Sequence, residues 1–93
     1  MTSKKTKTIF IVQEQWNDTT NTGDTEVGAP LVFGNKADAE SYAESATFGE
    51  LDARDIYIDD EDCLHELDPD HHGFSEKNGE GFHRWEIYEA AIA

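Results

Sequence analysis

Residues 50–70 carry ten acidic side chains and one cation, Arg54. The acids are Glu50, Asp52, Asp55, Asp59, Asp60, Glu61, Asp62, Glu66, Asp68 and Asp70. Unpaired carboxylates are almost never fully buried, and like charges at this density repel one another in a compact state. A domain of 93 residues has little stability to set against that repulsion. The chain reads as two structured ends with an irregular acidic middle. Folding does not account for the run. A surface that presents negative charge to a basic partner does.

The formal charge of −14 divides unevenly. Residues 1–49 hold four Lys/Arg and seven Asp/Glu, for −3, whereas residues 50–93 hold three and fourteen, for −11. High-salt adaptation would spread acid over the whole chain, so this skew argues against it. Direct nucleic-acid binding is opposed by the same charge, because phosphates would meet the −11 half. Lys4, Lys5 and Lys7 form the one basic cluster, and residues 1–7 read as a flexible basic tail. An apolar fraction of 37%, with two Trp, three Tyr and five Phe, is enough for one small core. A single domain over residues 1–93 is expected. Cys63 is the sole cysteine, which rules out an intramolecular disulfide and gives no sign of secretion. The apolar stretch after the lysines, residues 9–12, is too short for a signal-peptide h-region. No apolar run approaches a bilayer span, and an anionic membrane would repel the chain. The cytoplasm is the expected compartment.

The first half reads as strand, loop, strand and helix. Residues 8–16 open as a β-branched and aromatic run and then alternate, Phe10, Val12 and Trp16 on one parity and Ile9 and Ile11 on the other. A strand buried on both faces at its start would have this pattern. Residues 17–28 are rich in Thr, Asn, Asp and Gly and read as a long loop. Residues 29–34 make a second strand, with Pro30 confined to its start or to an edge. Asn35 is placed to cap a helix, with Asp38 at N3 in the acid position of a capping box. Ala39, Tyr42, Ala43 and Ala46 then form one apolar stripe, and Gly49 is the expected stop.

The second half is less regular. Asp55-Ile56-Tyr57-Ile58-Asp59 is β-prone, residues 60–67 suit two helical turns, and residues 71–81 read as a loop. Residues 81–90 return to strand character and are expected to pair with the N-terminal strand. The expected fold class is α+β, a small antiparallel sheet of three or four strands with one principal helix packed on it.

The chemical constellations are thin. Asp68-Pro69-Asp70-His71-His72-Gly73 resembles the start of an EF-hand loop, with acids at positions 1 and 3 and Gly at 6. His72 at position 5 and Gly79 at position 12 break the pattern, and Glu80 arrives one residue late. Cys63, His65, His71, His72 and His83 lack the paired spacing of a structural zinc site. The expectation is loop histidines, a semi-buried thiol and no metal or other cofactor. Four acids beside Cys63 suppress its thiolate, so it is a poor nucleophile, and an enzyme is not expected.

What remains is the acidic run. Residues four apart on a helix, roughly 6 Å, or alternate residues on a strand, roughly 6.6 Å, approximate the spacing of neighbouring phosphates. Asp55, Tyr57 and Asp59, or Asp62 and Glu66, would then stand in for a nucleic-acid backbone. With Trp85-Glu86-Ile87-Tyr88-Glu89 at the end, the order of residues 8–16, an acidic loop and Leu31-Val32-Phe33-Gly34-Asn35-Lys36-Ala37-Asp38-Ala39-Glu40-Ser41-Tyr42-Ala43-Glu44 resembles small phage-type proteins. The resemblance covers about half the chain and carries no active-site residues. In size and acidity the chain is also similar to phage DNA mimics and anti-CRISPR inhibitors. That similarity implies stoichiometric inhibition of a basic nucleic-acid-binding host protein, a CRISPR or restriction effector. The expected contact residues are the ten acids with Tyr57. The alternative is a binding module in which Trp85, Tyr57 and neighbouring aromatics supply the hot spot, or a weakly metal-binding regulatory domain.

Overall fold

The computed structural model describes residues 7–17, 25–77 and 81–92. Its elements are β1 (Lys7–Asn17), β2 (Glu26–Val27), β3 (Leu31–Phe33), α1 (Lys36–Ala53), β4 (His65–Leu67), β5 (Gly73–Glu76) and β6 (Phe82–Ile92). The six strands form one antiparallel sheet in the order β2-β1-β6-β5-β4, with β3 also paired to β1. One helix on an antiparallel sheet is the α+β class the sequence leads one to expect. β2, β4 and β5 take the sheet beyond four strands.

β1 and β6 run side by side from Lys7 opposite Ile92 to Asn17 opposite Phe82. This long two-stranded ribbon is the spine of the molecule, and Lys7 belongs to it rather than to a tail; residues 1–6 lie outside the described residues. β2 and β3 lie end to end along the outer edge of β1. Pro30, which has no amide hydrogen to donate to a ladder, falls in the gap between them.

Asn35 caps α1 as expected: its side chain accepts from the amide of Asp38 at 2.8 Å. Ala39, Ala43, Thr47 and Leu51 are the helix's buried residues. They recur every four positions, so one narrow stripe of mostly small side chains meets the sheet. Thr47 is satisfied there by donating its hydroxyl to the carbonyl of Ala43 at 2.7 Å. Tyr42, expected in the stripe, is exposed at its margin with its ring against Phe33. The core joins Val12, Ala39, Ala43 and Trp85, flanked by Phe10, Phe33, Ala46 and Ile87. The start of β1 is exposed or half-buried, so the expected burial on both faces does not occur.

The helix does not stop at Gly49. It continues to Ala53 and closes by donation from Ile56 N–H to Leu51 C=O (2.9 Å) and from Asp55 N–H to Asp52 C=O (3.1 Å). These are the two bonds of a Schellman cap, whose left-handed position usually holds glycine. Here Asp55 occupies it, at φ 59°; Asp tolerates that conformation better than most residues.

Beyond the cap, the expected strand at residues 55–59 and the expected helical turns at residues 60–67 are replaced by successive turns and then β4. Asp60 N–H donates to Tyr57 C=O, Cys63 N–H donates to Asp60 C=O, and Asp62 N–H donates to the Asp60 carboxylate. Short acidic side chains bond their own backbone in this way at the expense of helix or ladder. β5 lies inside the expected loop at residues 71–81. Its first residue, Gly73, is a loop signal in the sequence but a strand residue here for a steric reason. A Cβ on Gly73 would sit 2.5 Å from the carbonyl oxygen of His83 and 2.6 Å from Cα of Arg84, so only glycine lets β5 approach β6 this closely. Gly73→Ala is expected to cost about 1–3 kcal/mol, read as a lower urea midpoint with unchanged slope. An unchanged midpoint would mean that the β5–β6 approach is looser than described.

Candidate partner-binding face

The acids of residues 50–70 are carried by five different pieces of structure. Glu50 and Asp52 end α1, Asp55 sits in its cap, Asp59 to Asp62 lie in the turns, and Glu66 is the middle residue of β4. Asp68 and Asp70 belong to the β4–β5 turn, which is closed by His71 N–H donating to Asp68 C=O and Asp68 N–H donating to Gly73 C=O.

Six of the eleven expected contact residues come together, four around one groove and two more in the groove beside it. Asp52, Asp55, Tyr57 and Asp59 rim a groove of about 420 Å³ whose floor is Phe48, Leu51, Ile56, Ile58 and Leu67. Asp55 and Tyr57 are shared with an adjoining groove of about 310 Å³, which adds Asp60, Asp62, Cys63 and Leu64. Tyr57 and Leu64 are 62% and 69% exposed, so this apolar floor is open to solvent. Acids over an apolar floor make a surface that offers both charge and area to a partner.

The other acids stand apart. Glu66 takes the opposite pleat of β4 from Leu67, so it faces away from the groove floor. Asp70 lines a separate hollow of about 490 Å³ with Lys36, Glu40, His72 and Glu89, where charges of both signs meet. Asp68 is half-buried and Glu61 is exposed outside either groove. Because residues 55–59 turn instead of extending, Asp55, Tyr57 and Asp59 do not have strand spacing.

Glu50 points inward, and it takes the one cation of the run with it. Arg54 Nε lies 2.7 Å from Glu50 Oε1, and Arg54 Nη2 lies 3.4 Å from His83 Nδ1. On the other side of the ring, His83 Nε2 lies 2.5 Å from Glu14 Oε2. A proton on Nε2 lets the imidazole donate to Glu14 and accept from Arg54. His83 is 4% exposed, stacked against Trp85 at 4.4 Å and Trp16 at 5.5 Å. A row of polar groups thus runs through an aromatic stack, from β1 across β6 to the end of α1. Among the described residues, no ion pair reaches Asp52, Asp55, Asp59, Asp60, Glu61 or Asp62.

Trp85, expected as a surface anchor, is buried at 3% and cannot meet a partner. His83 is likewise no loop histidine, and His65 packs its ring against Phe74 on β5 while His71 meets Phe48. No three His, Cys, Asp or Glu side chains converge as a metal site among the described residues; Gly79 and Glu80 lie outside them. The residues that sequence reasoning missed are the groove floor. Ile56 and Ile58 carry the signal, alternating with Asp55, Tyr57 and Asp59, but the same alternation suits a strand.

The turn can be checked by titration. The Tyr57 hydroxyl donates to Asp55 Oδ1 at 2.8 Å, and this bond, reinforced by the charge of Asp55, raises the phenol pKa above its ordinary value. In ¹³C NMR the Tyr57 ring carbon should therefore titrate at higher pH than a free tyrosine, and Asp55→Asn should move it down. No movement on that substitution would mean that Tyr57 does not lie over Asp55 in solution.

No family model matches this chain, and neither a curated protein nor a solved structure matches it significantly. No helix among the described residues is long and apolar enough to cross a membrane.

Proposed function

We propose that this protein is a stoichiometric inhibitor of a basic, nucleic-acid-binding host protein, working in the host cytoplasm by presenting its acidic face in place of nucleic acid. The observation that carries the reading is the inward turn of Arg54 to Glu50 and His83. It leaves the outer acids of the grooves unneutralised by any described residue, so their field is directed at whatever approaches. A channel that neutralises phosphates with Lys and Arg can neutralise these carboxylates instead. The turns, rather than a strand, would set the carboxylate spacing. Exposed charge pairs contribute about 0–1 kcal/mol each, so affinity would also draw on the apolar floor beneath them. CRISPR and restriction effectors are the first partners to test.

A second reading makes Tyr57, Phe48 and Leu64 the hot spot of a general binding module, favoured by their exposure at the same grooves. Salt separates the two, since charge-led binding weakens steeply as ionic strength rises and apolar binding does not. The experiment is a gel shift with CRISPR and restriction effectors on their duplex DNA. Near-equimolar protein is expected to release DNA from its target, less so at high salt. Simultaneous binding of DNA and this protein would overturn mimicry.

A further inference from the structure

A sheet with a helix on one face normally turns a polar face to solvent. Here α1 covers the pleat that carries Val12, Trp85 and Ile87. The opposite pleat follows from the register: Ile11 is paired with Tyr88 and Val32, Ile9 with Ala90, and Lys7 with Ile92. Val32 is 62% exposed, and Tyr88 and Ile92 are also exposed. No described element lies over this face. Its charged residues are Lys7 and Arg84 against Glu86 and Glu66, so it is neutral on a chain of net charge −14.

We infer that this open face of the sheet is a self-association surface, covered by the same face of a second copy of the chain. Two strongly acidic chains repel one another through most of their surfaces. The open face is where they can meet without that repulsion, and the acidic grooves, on the helix side, are then turned outward on both copies. A two-fold axis sets like against like, apolar row on apolar row, as two sheets stacked roughly 10 Å apart. The area bounds the strength. The two 11-residue strands span roughly 36 Å each, and with the four short strands beside them, at roughly 4.8 Å per row, they give a flat footprint of about 500 Å². That is below the roughly 800 Å² per partner of a standard interface, so the dimer is expected to form in the micromolar to high-micromolar range and to dissociate on dilution.

This inference does not depend on the proposed inhibition, and its salt dependence has the opposite sign. Screening removes repulsion between the copies, so salt should strengthen self-association while weakening an acid-led contact with a basic partner. Sedimentation velocity on the full chain from about 5 μM to 1 mM, at low and high NaCl, is the test. The expected result is a monomer–dimer equilibrium shifted toward dimer by salt. Val32→Lys and Tyr88→Lys, both at exposed positions with folding checked by circular dichroism, should weaken it at least tenfold. Tyr57→Ser, on the acidic side, should leave it unchanged. A monomer at every concentration, a dimer that survives both lysine variants, or a dimer dissolved by salt would overturn the inference.

Discussion

Trp85→Ala is expected to lower the free energy of unfolding by about 3–5 kcal/mol, the range for truncating a buried aromatic. For a 93-residue domain the whole stability is about 5–14 kcal/mol, so a large part of it depends on one ring. That ring packs with Val12, Ala39 and Ala43 and stacks on His83 at 4.4 Å. Its helical neighbours are alanines, which cannot extend into the space it leaves. The loss also opens one side of the polar row from Glu14 to Glu50, where the buried imidazole of His83 depends on its surroundings. Trp16→Ala is the comparison: Trp16 is half-buried and stacks on the same histidine at 5.5 Å, and its loss should cost clearly less. Urea unfolding followed by circular dichroism gives both values. A Trp85→Ala cost below about 1.5 kcal/mol, outside the range for such truncations, would mean that the core is not centred on this residue.

The second large effect is on binding. Replacing Asp55, Asp59, Asp60 and Asp62 together by Asn should abolish inhibition of a responsive effector while leaving the fold intact or more stable. Asn is close in shape to Asp, tolerates the left-handed conformation at position 55, and can still accept the Asp62 amide at position 60. What changes is charge, four negative units removed where no described cation opposes them. If the contact desolvates these groups, their loss costs about 2–5 kcal/mol, roughly 30-fold or more in affinity. The matched control converts Asp18, Asp24 and Glu26 to amides. Glu26 sits on β2, across the sheet from the grooves, and Asp18 and Asp24 lie outside the described residues. Equal damage from the control set would move the contact face to the first half of the chain.

Several elements could be read from the order of residues because their causes are local. A capping Asn35 with Asp38 three residues on needs no distant partner, and the two β-branched and aromatic ends of the chain pair because no other segments are as strand-prone. The acidity of residues 50–70 is read directly, and the exposure of Asp55, Asp59, Asp60 and Asp62 follows from the cost of desolvating charge. The departures from local expectation share one cause. Period-two alternation at residues 55–59 makes a strand only when a neighbouring strand offers its ladder; here side chain–backbone bonds at Asp60 and the helix cap at Asp55 take the chain elsewhere. Glycine is a common helix stop, yet Gly49 is passed over because the stripe of Thr47 and Leu51 continues to find the sheet. Gly73, a loop signal by itself, is a strand residue because another backbone lies against it. The burial of Trp85 and His83 was hidden for the same reason. It depends on Glu14, Glu50 and Arg54 converging from two other elements, a match of partners far apart in the chain that only the packed molecule brings within hydrogen-bonding distance.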